Sequence, residues 1–164
     1  MKKLVYLAVA ATLAASVTVH AAPTKLGTSG DWGIYAFDRD GKKTCYVLSV
    51  PKDVKPAGVD HGENYFLIAP AEGADRPEPE AIMGYPLQAG SMARITVGSK
   101  SFRMFTRDHA AWVNDTSRTP ELMAALRAGS SMVLEAISAR GTHTSYTYSL
   151  DGITAALARS SGCR

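Results

Sequence analysis

The 164-residue sequence predicts a mainly β protein: an antiparallel β-sandwich with two short helices, and a small closed β-barrel as the alternative. Three observations point there. Short runs rich in β-branched and aromatic residues recur along the chain, separated by glycine, proline and aspartate turn signals at sandwich spacing. The apolar period lengthens from two residues to about 3.6 in only two places, both late in the chain. Strands do not alternate with helices, which argues against a parallel sheet. There is no internal repeat and no low-complexity tract.

The first 21 residues read as a secretory signal peptide. Lys2 and Lys3 form a positive start, residues 4–19 are apolar, and Val19-His20-Ala21 is a small-x-small cleavage site ahead of Ala22. The mature chain is then residues 22–164, with 16 basic and 15 acidic side chains and a net charge of +1. That balance excludes a strongly electrostatic nucleic-acid binder and a polybasic membrane binder. No later apolar run reaches the ~20 residues of a membrane-spanning helix. The expected location is the periplasm or the exterior. A chain of this length folds on one core, so residues 31–164 are expected to form a single domain after a flexible leading segment at 22–30.

The elements follow in order. Residues 32–37 alternate large and small side chains, which places Trp32 and Ile34 opposite Tyr35 and Phe37. Asp38-Arg39-Asp40-Gly41 is a turn, and residues 44–50 return as the second arm of a hairpin carrying Cys45. Residues 51–62 and 70–79 are rich in proline, glycine and charge and read as exposed loops. Between them, Tyr65-Phe66-Leu67-Ile68 is a short apolar strand. Residues 81–85 form a brief strand, 93–97 and 102–106 a hairpin around Gly98-Ser99-Lys100-Ser101, and Ala111-Trp112-Val113 a further strand. Thr119-Pro120-Glu121 starts the first helix with a hydroxyl cap, proline and an acid; Leu122 and Leu126 share a face, and Gly129 follows the last turn. Residues 132–139 and 144–148 pair around Arg140-Gly141-Thr142. A second helix starts at Ser149 or Asp151 and runs to about Arg159, with Leu150, Ile153 and Leu157 on one face.

Two cysteines remain in the mature chain, Cys45 and Cys163. In an exported protein an even count reads as a disulfide, here tying the C-terminus to an early strand. Two free thiols and an intermolecular bridge are the other readings.

Several segments together resemble the invasion-associated locus B family of exported bacterial proteins. They are Gly30-Asp31-Trp32, Cys45-Tyr46, the run from Glu121 to Gly129 (ELMAALRAG) and the run from Ser149 to Leu157 (SLDGITAAL). The resemblance spans about Gly30 to Cys163. It implies an immunoglobulin-like β-sandwich, a periplasmic or surface location, and association with host-cell invasion in pathogenic relatives. It transfers no catalytic residue. Family members often carry further cysteines; Ala36 stands in the first strand here, and residues 102–115 contain none.

The residues themselves offer little chemistry. His61, His109 and His143 lack metal-ligand spacing, and Asp108-His109 would point to opposite faces of a strand. Asp38-x-Asp40-Gly41 is a hairpin turn, because the later ligands of a calcium loop are missing. No nucleophile motif or phosphate loop is present. The acids Glu72, Asp75, Glu78 and Glu80 sit in one proline-rich stretch and read as solvated. Neither catalytic residues, metal nor cofactor is expected. Trp32 and Trp112, with Tyr35, Tyr46, Tyr146 and Tyr148, either pack the core or line a groove, and exposure decides. The two tryptophans are therefore the candidate partner-binding residues, for a protein partner in the envelope or on a host cell. An exposed strand edge or the two proline-rich loops would form the surrounding surface. The alternative is an envelope hydrolase whose acids and histidines meet only in the fold, and a third reading is a structural filler of an envelope complex.

Overall fold

A computed structural model describes residues 22–39, 41–73 and 76–162. Eleven antiparallel strands form one continuous sheet: β1 (Thr24–Ser29), β2 (Trp32–Arg39), β3 (Lys42–Ser49), β4 (Asp53–Lys55), β5 (Tyr65–Pro70), β6 (Pro77–Ile82), β7 (Met92–Val97), β8 (Lys100–Arg107), β9 (Ala110–Val113), β10 (Ser131–Ile137) and β11 (His143–Ser149). Their order across the sheet is β1-β2-β3-β5-β6-β9-β8-β7-β10-β11-β4. The sheet bends over on itself without closing, because its outermost strands β1 and β4 pair on one side only. Phe66 of β5 thereby meets Tyr148 of β11 at 6.1 Å between ring centroids, and the Trp32 indole N–H donates to the Ser149 carbonyl across the layers (3.1 Å). The architecture is sandwich-like, as the turn spacing predicts, and the barrel alternative is excluded by the open edges.

Strict alternation sets the core. Trp32, Ile34 and Ala36 of β2, Val47 of β3, Ile95 of β7, Met104 of β8, Leu134 of β10 and Tyr146 and Tyr148 of β11 all face inward. Two helices add to this core. α1 (Thr119–Ala128) contributes Leu122, Met123 and Leu126, and α2 (Ile153–Ser161) contributes Ile153 and Ala156, with Leu157 packed at its margin. Helices this short have little stability alone and depend on that docking.

Several local expectations need correction. The leading segment is not free: residues 24–29 form β1, paired with β2 through a bulge at Gly27. Polar Thr, Ser and Lys suit an edge strand whose outer side is solvated, and composition alone cannot tell such a strand from a loop. The stretch at 51–62 contains β4, and that at 70–79 already contains the start of β6. β6 carries Pro77 and Pro79, which argue against a strand by propensity; pairing with Tyr65–Pro70 overrides that preference. Thr119 lies inside α1, and a 3₁₀ turn at Thr116–Arg118, capped by Asp115, leads into the helix. Gly129 leaves α1 in extended conformation (φ −85°, ψ 164°), and the reason for glycine there is space: a Cβ would lie 2.6 Å from Val97 Cγ1. The expected signal peptide, Asp40, Asp75 and Cys163 lie outside the described residues.

Candidate functional site

Trp32 is fully buried, packed edge-on against Phe66 with its N–H satisfied, so it presents nothing to a partner. This corrects its assignment as a partner-binding residue. Its alternation with Tyr35 already assigns the two to opposite faces; which face is the core could not be read locally. Tyr146 and Tyr148 are also core residues. Tyr35 and Tyr46 stack on the outer face of β2 and β3 (centroids 5.4 Å apart).

Trp112 points outward. It is directly opposite Phe105 in the β8–β9 register, and the two rings stack with centroids 5.5 Å apart and planes 26° from parallel. Phe105 is 37 % exposed, which is unusual for a phenylalanine. The pair belongs to one row of outward side chains that crosses five strands: Leu48, Leu67, Glu80, Trp112 and Phe105. Glu80 is thus a carboxyl set between a leucine and a tryptophan. Burial, reinforced by the neighbouring charge of Glu78, raises its pKa; a hydrogen bond with Trp112 opposes the shift.

Beside the rings the sheet opens. The β6–β9 register ends at Glu80 and Trp112, and Pro79, next along β6, has no N–H to continue a ladder. A half-open cleft of about 220 Å³ lies there. Phe105, Trp112 and Pro79 supply its apolar wall, Arg76, Arg107 and Glu78 its charges, and Thr116 and Thr119 its far side. Among the described residues, the side chains of Arg76 and Arg107 make no ion pair and no hydrogen bond. The proline-rich stretch at 70–79, read from sequence as a recognition loop, therefore contributes Arg76, Glu78 and Pro79 to the cleft. Phe105 and Arg107 were not singled out by sequence. The available signal was the alternation Arg103-Phe105-Arg107 along β8, which puts an aromatic between two cations on one face.

The histidines do not converge. His61 is buried, with Nδ1 2.8 Å from the Tyr146 hydroxyl and Nε2 2.9 Å from the Pro56 carbonyl, where Nε2 must donate. His109 is exposed on the turn between β8 and β9, and His143 is exposed at the start of β11. Among the described residues no three His, Cys, Asp or Glu side chains gather to hold a metal. No helix among them is long and apolar enough to cross a membrane. Cys45 is inward on β3 and 7 % exposed; its expected partner, Cys163, lies outside the described residues.

Comparison with known proteins agrees with this architecture. The chain is similar in fold to the crystal structure of invasion associated protein B from Bartonella henselae, with a TM-score of 0.62 and 18 % identity, covering 87 % of this chain and 96 % of that one. No curated protein sequence matches it. The family model described as invasion associated locus B (IalB) protein matches residues 32–161. This covers most of the chain and takes in the segments from Trp32 to Leu157 on which the sequence resemblance rests. The chain belongs to the invasion associated locus B family.

Proposed function

We propose that this protein is an exported accessory protein of the bacterial envelope or cell surface, acting by capturing a partner rather than by turnover, and serving host-cell invasion in the manner its family name describes. The leader at residues 1–21 supports export, and family membership supports the link to invasion. The observation that carries the binding reading is the cleft beside Phe105 and Trp112. An aromatic pair and two unpaired arginines are gathered on the outer face of a rigid sheet, where aromatic and arginine side chains are the usual anchors of recognition. Of the two tryptophans, Trp112 remains as the proposed partner-binding residue, and the partner is expected to be a protein of the envelope or host surface.

The test is chemical cross-linking and pull-down from the native envelope, comparing the wild-type chain with Arg107→Gln. Arg107 is exposed, and its side chain makes no hydrogen bond or ion pair among the described residues, so the variant should fold normally. The wild type should retain one reproducible partner that the variant loses. Equal capture by both would remove the cleft from the account.

One observation favours the hydrolase alternative: Glu80 is a carboxyl with a raised pKa, as a general acid requires, and it is two residues from Glu78. Glu80, however, lies on the far side of Trp112 and does not line the cleft. If Glu80→Gln abolished hydrolysis of an envelope polymer by the purified chain, turnover would replace binding.

A further inference from the structure

We propose that the group seated in the Phe105–Trp112 cleft is an acidic sugar residue: a pyranose bearing a carboxylate, carried on a glycoprotein or on an envelope polysaccharide. The inference rests on the binding reading above and names the chemistry of that same site. Each part of the cleft demands a different feature from its ligand. The stacked rings of Phe105 and Trp112 offer a flat, electron-rich apolar surface. One face of a pyranose ring is lined with C–H groups and lies well on such a surface. Arg76 and Arg107 offer planar guanidinium groups without a carboxylate partner among the described residues, a fit for a bidentate carboxylate. Thr116 and Thr119 bring the N-terminal end of the α1 segment to the same side, adding positive potential. Glu78 requires a donor, and sugar hydroxyls are donors.

Other ligand chemistries use the site less completely. A phosphate ester brings up to two negative charges against Glu78 and makes no use of the rings. An apolar peptide uses the rings and leaves both arginines unpaired. A cleft of about 220 Å³ is smaller than the roughly 300–1,000 Å³ of pockets for drug-sized ligands, so it accommodates about one ring, with the rest of the glycan in solvent.

The exported chain should be titrated, with calorimetry and amide chemical shifts as readouts, against four probes: a sialic-acid-terminated trisaccharide, a uronic-acid oligomer, lactose and inorganic phosphate. At least one acidic sugar should bind and shift the amides of β8, β9 and residues 76–79, and lactose should bind at least about tenfold more weakly. Preference for the sialylated probe would identify a host-type glycoprotein as the source, and preference for the uronic oligomer a bacterial polysaccharide. Arg107→Gln should weaken the acidic probe about tenfold or more while leaving the remaining amide spectrum unchanged. Binding of lactose as tight as that of the acidic sugars, binding of phosphate alone, no binding, or binding that Arg107→Gln leaves intact would each overturn the ligand class. If the sugar fails but Arg107→Gln still abolishes partner capture, the binding reading stands and only the chemistry assigned to the cleft falls.

Discussion

Tyr146 and Tyr148 occupy successive inward positions on β11 and differ in how their hydroxyls are satisfied. Tyr146 Oη lies 2.8 Å from His61 Nδ1 and 2.9 Å from the Tyr85 hydroxyl, and Tyr85 continues to Thr144 at 2.6 Å. The Tyr148 hydroxyl is buried and has no partner among the described residues. A buried hydroxyl without a partner costs stability, so Tyr148→Phe should leave the urea midpoint unchanged or raise it. Tyr146→Phe should lower stability by roughly 1 kcal/mol, because it strips partners from His61 and Tyr85. Glu80 makes a prediction in pH. Its folded pKa is raised above the ordinary 4.5, so the folded chain binds its proton more tightly than the unfolded chain does. Stability therefore falls as pH rises from about the ordinary carboxylate value through the raised one. Glu80→Gln should remove this part of the pH profile and leave the neutral-pH protein as stable or more so, as measured by urea melts across pH 4–8. Neither position was legible in sequence: Tyr-x-Tyr shows only that both rings share a face, and Glu80 looked like one of several solvated acids until its neighbours Leu67 and Trp112 were in place.

At the scale of elements, the start of α2 shows why part of the family resemblance is so local. Gly152 has φ 82°, a conformation that side-chain-bearing residues rarely adopt. The turn between β1 and β2 passes so close that a Cβ there would come 2.1 Å from the Ser29 carbonyl oxygen. Asp31 N–H donates to the Asp151 carbonyl in the same place (3.1 Å), and Lys52 with Ser149 holds the Asp31 carboxyl below its ordinary pKa. Gly-Asp-Trp and Ser-Leu-Asp-Gly-Ile, distant in sequence, are the two halves of one close contact. Gly152→Ala should cost about 1–3 kcal/mol from backbone strain, and more if the β1–β2 turn cannot move away, read as a fall in thermal midpoint. The strands with clean alternation, β2, β3, β7, β8, β10 and β11, were legible because one face of each is core and the other is not. Strands β1, β4 and the start of β6 were not. Two are edges with little to bury, and the third is built on prolines that local propensity reads as loop.

Over the whole molecule, one sheet folded on itself makes a core between its two halves and leaves an outer face that carries the Trp112 row and the cleft. A sequence can show that Trp112 lies on a strand. It cannot show that β9 sits between β6 and β8, a neighbourhood made by non-consecutive pairing, so a cleft drawn from β6, β8, β9 and α1 was out of reach. The proposed Cys45–Cys163 bond also acts at this scale. α2 packs against β2 and β3 and ends at Ser161, two positions before Cys163 in the sequence. Closing so long a loop would contribute about 4–5 kcal/mol on the chain-entropy view. Cys45→Ala should raise the titratable thiol count from none to one and lower the thermal midpoint of the oxidised protein; a count falling from two to one would dismiss the bond.

If the outer face at Phe105 and Trp112 meets the partner, a photo-cross-linker placed on that face will capture it. Phe105 would be replaced by benzoylphenylalanine and, as a control of similar exposure, so would Val59 (44 % exposed). Both proteins would be illuminated in the native envelope and in contact with host cells. Position 105 should give one discrete adduct, lost when Arg107→Gln is added, and position 59 none. Adducts at 59 and not at 105, or equal diffuse labelling from both, would place the working surface elsewhere.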